Sequence, residues 1–574
     1  MSDFKPILVR DSRLNDITSQ VEIAMPQGAE RSTFQRFSAS SSSTSNMSFN
    51  IQPPSQSTAV DRNVMIRSTV NSVLRITNVP VGVDAFPYGD RLSFQAFPLN
   101  SIFVNSTATI NDNSVSVNAS DIISPLLNMM DTDELAKWKG STPYLLDRFQ
   151  NLSDCSGKLN NPMGAYGTSS FDQHDIPRGC HPLESVNVVH TIQAGGSDAS
   201  TISTNLLDTW VINVSATFCE PLLCSPYLFH SRYNEAALLG VSRMNFVFTI
   251  DSQLKKFYSC GYESTSNVQI SAELDQITPF TNPEILLNFL TTQRTNLINP
   301  KNVLPYCNIV NQSTAAANTP VMLPGDIREI SLNNITLDQI PGKIVIVARK
   351  AMSAQRITDA NSYCVIQRVA IGWSNNQGIL SGATMQDLWR TSVANGSKQS
   401  WYEFSGLVNL KQVPTLLGPV YSNSPLSTTG SVLVLDPSRD FSLPAYVTNG
   451  SLGNYQLQIV LTVKNISTQT FAPEMSVITF NDGIFVTDSG SSSVSTGLLN
   501  QALVVDASTN QGQSALSSNV YSRLRGGAIS DQIASALKHL PMVRKVSKEG
   551  SARSGGARSG GYKSYENKLD SLLM

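Results

Sequence analysis

The chain has 574 residues, a formal net charge of −2 and charged residues at only 15%, against 41% hydrophobic. That length bounds two or more domains, each able to bury its own core, and the near-neutral balance excludes a general electrostatic pull on nucleic acid. A surface so short of charge must be covered by Ser, Thr, Asn and Gln, a pattern of shells and β-rich proteins more than of cytosolic enzymes.

Residues 1–45 read as a flexible arm that ends in the low-complexity run Ser38-Ala39-Ser40-Ser41-Ser42-Ser43-Thr44-Ser45. The arm is not basic, because Lys5, Arg10, Arg13, Arg31 and Arg36 are matched by Asp3, Asp11, Asp16, Glu22 and Glu30. It has no apolar signal-peptide segment, and no run in the chain approaches the roughly 18 apolar residues of a membrane span. Seven irregularly spaced cysteines form no disulfide framework, which points to a reducing cytosol or nucleus. The Asn-Xaa-Ser/Thr triplets at Asn105, Asn118 and Asn213 then carry no glycosylation signal.

Residues 46–300 read as a first β-domain. Val64 to Val70 with Val73 to Ile76 form a long bent strand pair, and Phe103 to Ile110 with Val115 and Val117 form a hairpin turned at Asn111-Asp112-Asn113. A helix is expected from Ser120, cut short by Pro125. Residues 131–205 are a loop insertion with few periodic runs. Strands resume at Thr209 to Phe218 and Met244 to Ile250, and 283–290 reads as helical. The Pro-, Asn- and Ala-rich stretch 301–322 reads as a linker.

The second domain, 323–506, opens with alternation at Ile330, Leu332 and Asn334, a corner at Ile340-Pro341-Gly342, and the run Lys343-Ile344-Val345-Ile346-Val347-Ala348, β-branched enough to lie buried in a sheet. Its corner echoes Pro221 in the first domain, about 120 residues earlier. Tyr363 to Trp373, Val432 to Leu435, Tyr455 to Val463 and Ser476 to Phe480 supply further strands, and Asn481-Asp482-Gly483 reads as a turn. Short strands with Pro and Gly corners, twice over, predict an all-β fold of two tandem antiparallel jelly rolls.

The tail, 507–574, differs in composition. From Ala528 it has eight Lys/Arg against four Asp/Glu, a short helix capped by Ser530 and stopped by Pro541, and the flexible repeat Arg553-Ser554-Gly555-Gly556 and Arg558-Ser559-Gly560-Gly561. Just before it, Leu524-Arg525-Gly526-Gly527-Ala528 pairs two glycines with an apolar residue. Such a strand threads a narrow protease channel, and it equally makes a hinge between body and tail.

Signatures of chemistry are missing: there is no Walker loop, no Gly-x-Ser-x-Gly elbow and no His-Glu-x-x-His. His174, Asp175, Cys180 and His181 have zinc-ligand types at an untypical spacing and read as a surface loop. Cys219 and Cys224 read as structural thiols, and Trp373, Trp389 and Trp401 as packing residues that could also stack on a sugar. No cofactor or metal is expected.

Ile340 to Arg349, Asn376-Gln377-Gly378-Ile379-Leu380-Ser381, Asp387-Leu388-Trp389-Arg390, Trp401-Tyr402-Glu403-Phe404 and Gly453 to Gln458 together resemble the second half of double jelly-roll major capsid proteins, the lineage of adenovirus hexon, virophages and Polinton-like viruses. Val60-Asp61-Arg62-Asn63-Val64 and Phe97-Pro98-Leu99 are similar to its first roll. The resemblance covers roughly 47–500. It implies a viral capsid protein without enzymatic activity, a homotrimer whose six lobes make a pseudo-hexagonal capsomer of an icosahedral shell, and contacts with neighbouring capsomers and with minor or penton capsid proteins. Leu524, Gly526, Gly527 and Ala528 likewise resemble the sites of adenovirus-type maturation proteases, which implies cleavage after Gly527 of a tail that aids assembly or touches the genome weakly. A carbohydrate-binding β-sandwich adhesin or spike is the alternative, and a β-sandwich glycosidase a further one, which would need a carboxylate pair the sequence does not point to.

Overall fold

The computed structural model describes residues 4–9, 21–26, 31–55, 58–78, 92–138, 140–150, 186–193, 209–227, 237–260, 269–291, 301–314, 319–374, 376–414, 421–443, 448–488 and 490–497. The first roll has strands β1 (Arg31–Ser38), β2 (Asn46–Ile51), β3 (Met65–Thr77), β4 (Phe103–Ile110), β5 (Asn113–Val117), β6 (Thr209–Pro221), β7 (Met244–Ile250) and β8 (Phe280–Thr291). One sheet runs β5-β4-β7-β2, with Ser41–Ser42 beyond β2; the facing sheet runs Val186–Gln193, β6, β3, β8, β1. Period-two alternation closes this sandwich: Met47, Phe49 and Ile51 meet Ile66, Val70 and Leu74 in one core, while Ser48, Asn50 and Arg67 turn outward.

The second roll has β9 (Lys301–Ser313), β10 (Ile327–Gln339), β11 (Lys343–Lys350), β12 (Val365–Trp373), β13 (Asn376–Ile379), β14 (Val432–Leu435), β15 (Leu452–Lys464), β16 (Pro473–Asp488) and β17 (Ser491–Thr496). Its sheets run β9-β16-β11-β14, with β17 also on β16, and β10-β15-β12-β13. Apart from the hairpins β4–β5, β12–β13 and β16–β17, successive strands alternate between the two sheets and the late strands return beside the early ones, which is the jelly-roll path. Pro341 and Pro221 both stand where the chain leaves one sheet for the facing one.

Four local expectations are corrected. Residues 283–290 are strand, because Ile285, Leu287 and Phe289 are buried with period two against β1 and β3; a short apolar run does not distinguish the two periods by itself. The expected linker is largely β9, paired along its length with β16; Pro305 is tolerated because β9 is an edge strand. The chain also enters the first roll before residue 46: Arg31–Ser38 pairs with β8, and Phe37 meets Phe289 edge to face at 6.0 Å. Finally, Asn481-Asp482-Gly483 lies inside β16. Its glycine is there because a Cβ would strike the Ser495 carbonyl and Thr496 of β17, so the residue marks a close approach of backbones.

Helix α1 (Ala119–Leu127) forms where expected but runs through Pro125, and α2 (Met385–Ala394) is opened by a capping box of Thr384 and Asp387. The insertion at 131–205 contains the strand Val186–Gln193, laid on β6.

Candidate functional site

No reaction centre organises the described residues; the best-built feature is the seam between the rolls. Along β11, Ile344, Ile346 and Ala348 belong to the second roll's own core, whereas Val345 and Val347 join the core of the first roll. The same division holds on β14, where Leu433 and Leu435 face one way and Val432 and Val434 the other, and on β16, where Val477 faces inward and Ile478 and Phe480 face the first roll. This sheet is buried on both sides, which is why β11 and β14 are continuous apolar runs instead of alternating ones.

Polar contacts fix the register of that apolar contact. Asn361, from the second roll, donates its backbone N–H to Asp147 Oδ2 at 2.7 Å and its Nδ2 to Gln95 Oε1 at 2.6 Å, and accepts from Lys256 Nζ at 2.5 Å. Gln150 reaches the other way: its Nε2 donates to the carbonyls of Tyr363 at 2.7 Å and Thr429 at 3.2 Å, and its Oε1 accepts from Ser362 Oγ at 2.8 Å. Backbone pairing of Phe149 with Thr428 continues the seam, and Tyr363 Oη lies 2.6 Å from Ser124 Oγ. At the far end, Ser492 N donates to Asp112 Oδ1 at 2.7 Å and Asn111 Nδ2 to the Ser491 carbonyl at 2.9 Å.

Pro125 has a part in this. A proline in a helix cannot donate to the carbonyl four residues back, here that of Asp121. That carbonyl accepts instead from Nη1 of Arg349 at 3.0 Å, and the Asp121 carboxylate lies 3.6 Å from Nη2. Arg349 is 3% exposed at the end of the apolar β11, so the helix defect in one roll receives the buried guanidinium of the other.

Lys256 is buried at the same seam, and burial, reinforced by Arg349, pulls its ammonium down to about 7 against the opposing pull of Asp147, Asp359 and Asp121. A lysine whose folded pKa is depressed penalises folding wherever the ammonium must be buried. The penalty is complete below about pH 7 and is relieved as pH rises toward the unfolded value. Chemical denaturation from pH 7 to 10 is expected to show this group raising stability by up to about 1.4 kcal/mol per pH unit, a slope that Lys256→Met removes.

A second buried charge braces the first roll. Glu220, at the end of β6, accepts from the N–H of Leu99 at 2.9 Å, from the N–H and Nδ2 of Asn100 at 2.8 and 2.7 Å, and from Thr142 Oγ1 at 2.9 Å. Burial pushes its carboxyl up to about 7 against these four donors. Asp482 is likewise pushed up to about 8 by burial, against the pull of Lys343.

The residues singled out by sequence do not converge. Leu524, Gly526, Gly527 and Ala528, and also His174, Asp175, Cys180 and His181, lie outside the described residues. Cys224 is buried with its thiol pushed up to about 12, Cys219 is half-buried and also raised by burial, and both are free thiols. Trp373 stacks on Tyr455 at 5.3 Å and packs against Phe441, while Trp389 meets Trp401 at 5.7 Å and donates Nε1–H to the Gln399 carbonyl. Sequence reasoning missed Glu220, Lys256, Arg349 and Asn361. Only Arg349 carried a local signal, a cation that with Lys350 closes a β-branched run.

Comparison with known proteins places these features. The profile of the Sputnik virophage major capsid protein first domain matches residues 2–290, and that of the major capsid protein V20 C-terminal domain matches residues 310–483. The V20 capsid protein of Sputnik virophage is 25% identical over 535 residues, covering 91% of this chain and 84% of that protein. A chain of the Sputnik virophage structure superposes with a TM-score of 0.71 at 23% identity, covering 90% of this chain and 97% of that one. The mavirus major capsid protein does so with a TM-score of 0.63 at 15% identity, covering 87% and 97%.

Proposed function

The chain belongs to the Sputnik virophage major capsid protein family, and from that membership we propose that three copies close into a pseudo-hexagonal capsomer with two lobes from each chain. As a viral major capsid protein with a double jelly-roll fold, it is a component of the virion shell. The observation that carries the trimer is the seam: a two-sided apolar sheet and a set of buried polar contacts hold the two rolls in one orientation, as a subunit that supplies two of six lobes requires. The contact between copies is then heterologous and closes as a ring. We assign the chain no reaction, and its work is to hold geometry. Its other partners are neighbouring capsomers and minor or penton capsid proteins, after synthesis in the host cytoplasm or nucleus. Solution mass and negative-stain images of the purified protein should give three-chain hexagonal blocks; a stable monomer at micromolar concentration would count against the reading.

The tail completes the proposal. Leu524, Gly526, Gly527 and Ala528 form the recognition sequence of a viral maturation protease, which cuts after Gly527 once the basic segment beyond has served assembly or touched the genome. Intact-mass measurement on mature particles is expected to find chains ending at Gly527. Full-length chains throughout would leave Gly526-Gly527 as a hinge.

A further inference from the structure

The two rolls follow one plan. Taken in chain order, their strands pair identically: β1-β8-β3-β6 faces β2-β7-β4-β5 in the first roll, and β9-β16-β11-β14 faces β10-β15-β12-β13 in the second. The helices correspond as well, since α1 follows the hairpin β4–β5 and α2 follows the hairpin β12–β13. Asp121 and Asp387 are each the third helical residue; Asn118 Nδ2 donates to the first at 2.7 Å and Thr384 Oγ1 to the second at 2.6 Å. In that alignment Ile122 and Leu126 of α1 match Leu388 and Ser392 of α2, and all four are buried.

What differs between the rolls is which surfaces are covered. At the seam, the outer face of β9-β16-β11-β14 is brought against the first roll, where Asp121 of α1 meets Arg349 and Ser124 is buried beside Tyr363. The counterparts of both surfaces are bare. Arg390, which occupies on α2 the position of Ser124, is exposed, as is Asp387. On the outer face of β1-β8-β3, Phe34 is 54% exposed, and Met65 and Leu286 are half-buried on the same face. Charge is complementary, because Glu284 and Arg67 are cross-strand partners on that sheet face, so each surface brings one acid and one base. A ring of six similar lobes repeats between chains the contact made within each chain. We propose that α2 of one copy docks on the outer face of β1-β8-β3 of the next, around Phe34, so that the joint between copies is a second seam with its halves taken from different chains. This contact rests on the three-copy ring proposed above and gives that ring its joint.

The test uses the full-length protein and reads its mass by sedimentation velocity across the micromolar range. Phe34→Asp and Arg390→Glu change exposed side chains, so each variant should keep the wild-type circular dichroism spectrum. Each should nevertheless raise the concentration at which trimers half-dissociate at least about thirtyfold, the effect of losing one hot-spot contact. Leu323→Asp is the control: this residue is equally exposed but precedes β10, at the edge of its sheet opposite β13, and the change should leave the trimer intact. A mixture of the two variants gives a readout that a folding defect would not. The Phe34→Asp chain keeps a working α2 and the Arg390→Glu chain a working sheet face, so together they should form a one-to-one dimer although neither forms a trimer alone. Trimers as tight as wild type in both variants, an equal loss in Leu323→Asp, or no mixed dimer would each overturn this contact and leave the ring standing, whereas a monomeric wild type would overturn both.

Discussion

Glu220→Ala is expected to destabilise the protein by about 3–5 kcal/mol, read as a lowered denaturant midpoint. The carboxylate is completely buried, and its removal strands the N–H groups of Leu99 and Asn100, the Asn100 amide and the Thr142 hydroxyl in a site from which water is excluded. Glu220→Gln should cost less, because an amide still offers one acceptor oxygen, yet it changes the pH profile. The folded pKa of Glu220 is raised to about 7, so its stabilising contribution is complete below the unfolded value near 4.5 and is lost as pH rises through 7. Wild-type stability should therefore fall across that window by up to about 1.4 kcal/mol per pH unit from this group, and the Gln variant should lack that component. A wild-type profile with no fall between pH 5 and 7 that Glu220→Gln flattens would refute the assignment.

The second large effect concerns separation of the rolls. Residues 301–497 expressed alone are expected to be insoluble or to form aggregates that bind hydrophobic dyes. Without the first roll they present Val345, Val347, Val432, Val434, Ile478 and Phe480 to water, and each is worth about 1.5–3 kcal/mol when buried. The loss is on the order of 10 kcal/mol, comparable to the whole stability of a typical domain. The intact chain should instead unfold in one transition by fluorescence and calorimetry, since the core of the first roll is completed by β11, β14 and β16 of the second. A soluble monomeric second roll that melts sharply by itself would show the seam to be dispensable.

How much of this was legible follows from what each segment answers to. The β-branched run of β11 declared a buried strand because burial on both faces leaves no polar alternation to dilute the signal. The hairpin of β4 and β5 was equally plain, since Asn111-Asp112 turns it locally and both strands lie within one window of sequence. Residues 283–290 and β9 were misread because their character is conferred by partners far away in the chain, β3 for one and β16 for the other. Pro125 was read through its local effect on a helix, whereas its consequence lies in Arg349, more than two hundred residues on. The seam was invisible for the same reason: Asn361, Gln150 and Lys256 are ordinary polar residues until two rolls bring them together.

The shared sheet also bears on mechanics. In a subunit whose two lobes met through a flexible connection, a push on one lobe would be spent in bending the joint. Here β11, β14 and β16 form a single wall loaded from both sides by close-packed side chains, and such interiors compress little and transmit strain. A force applied to one lobe passes through the wall to the other, so the subunit deforms as one stiff plate, and a shell tiled from such plates flexes at the joints between subunits before it flexes within them.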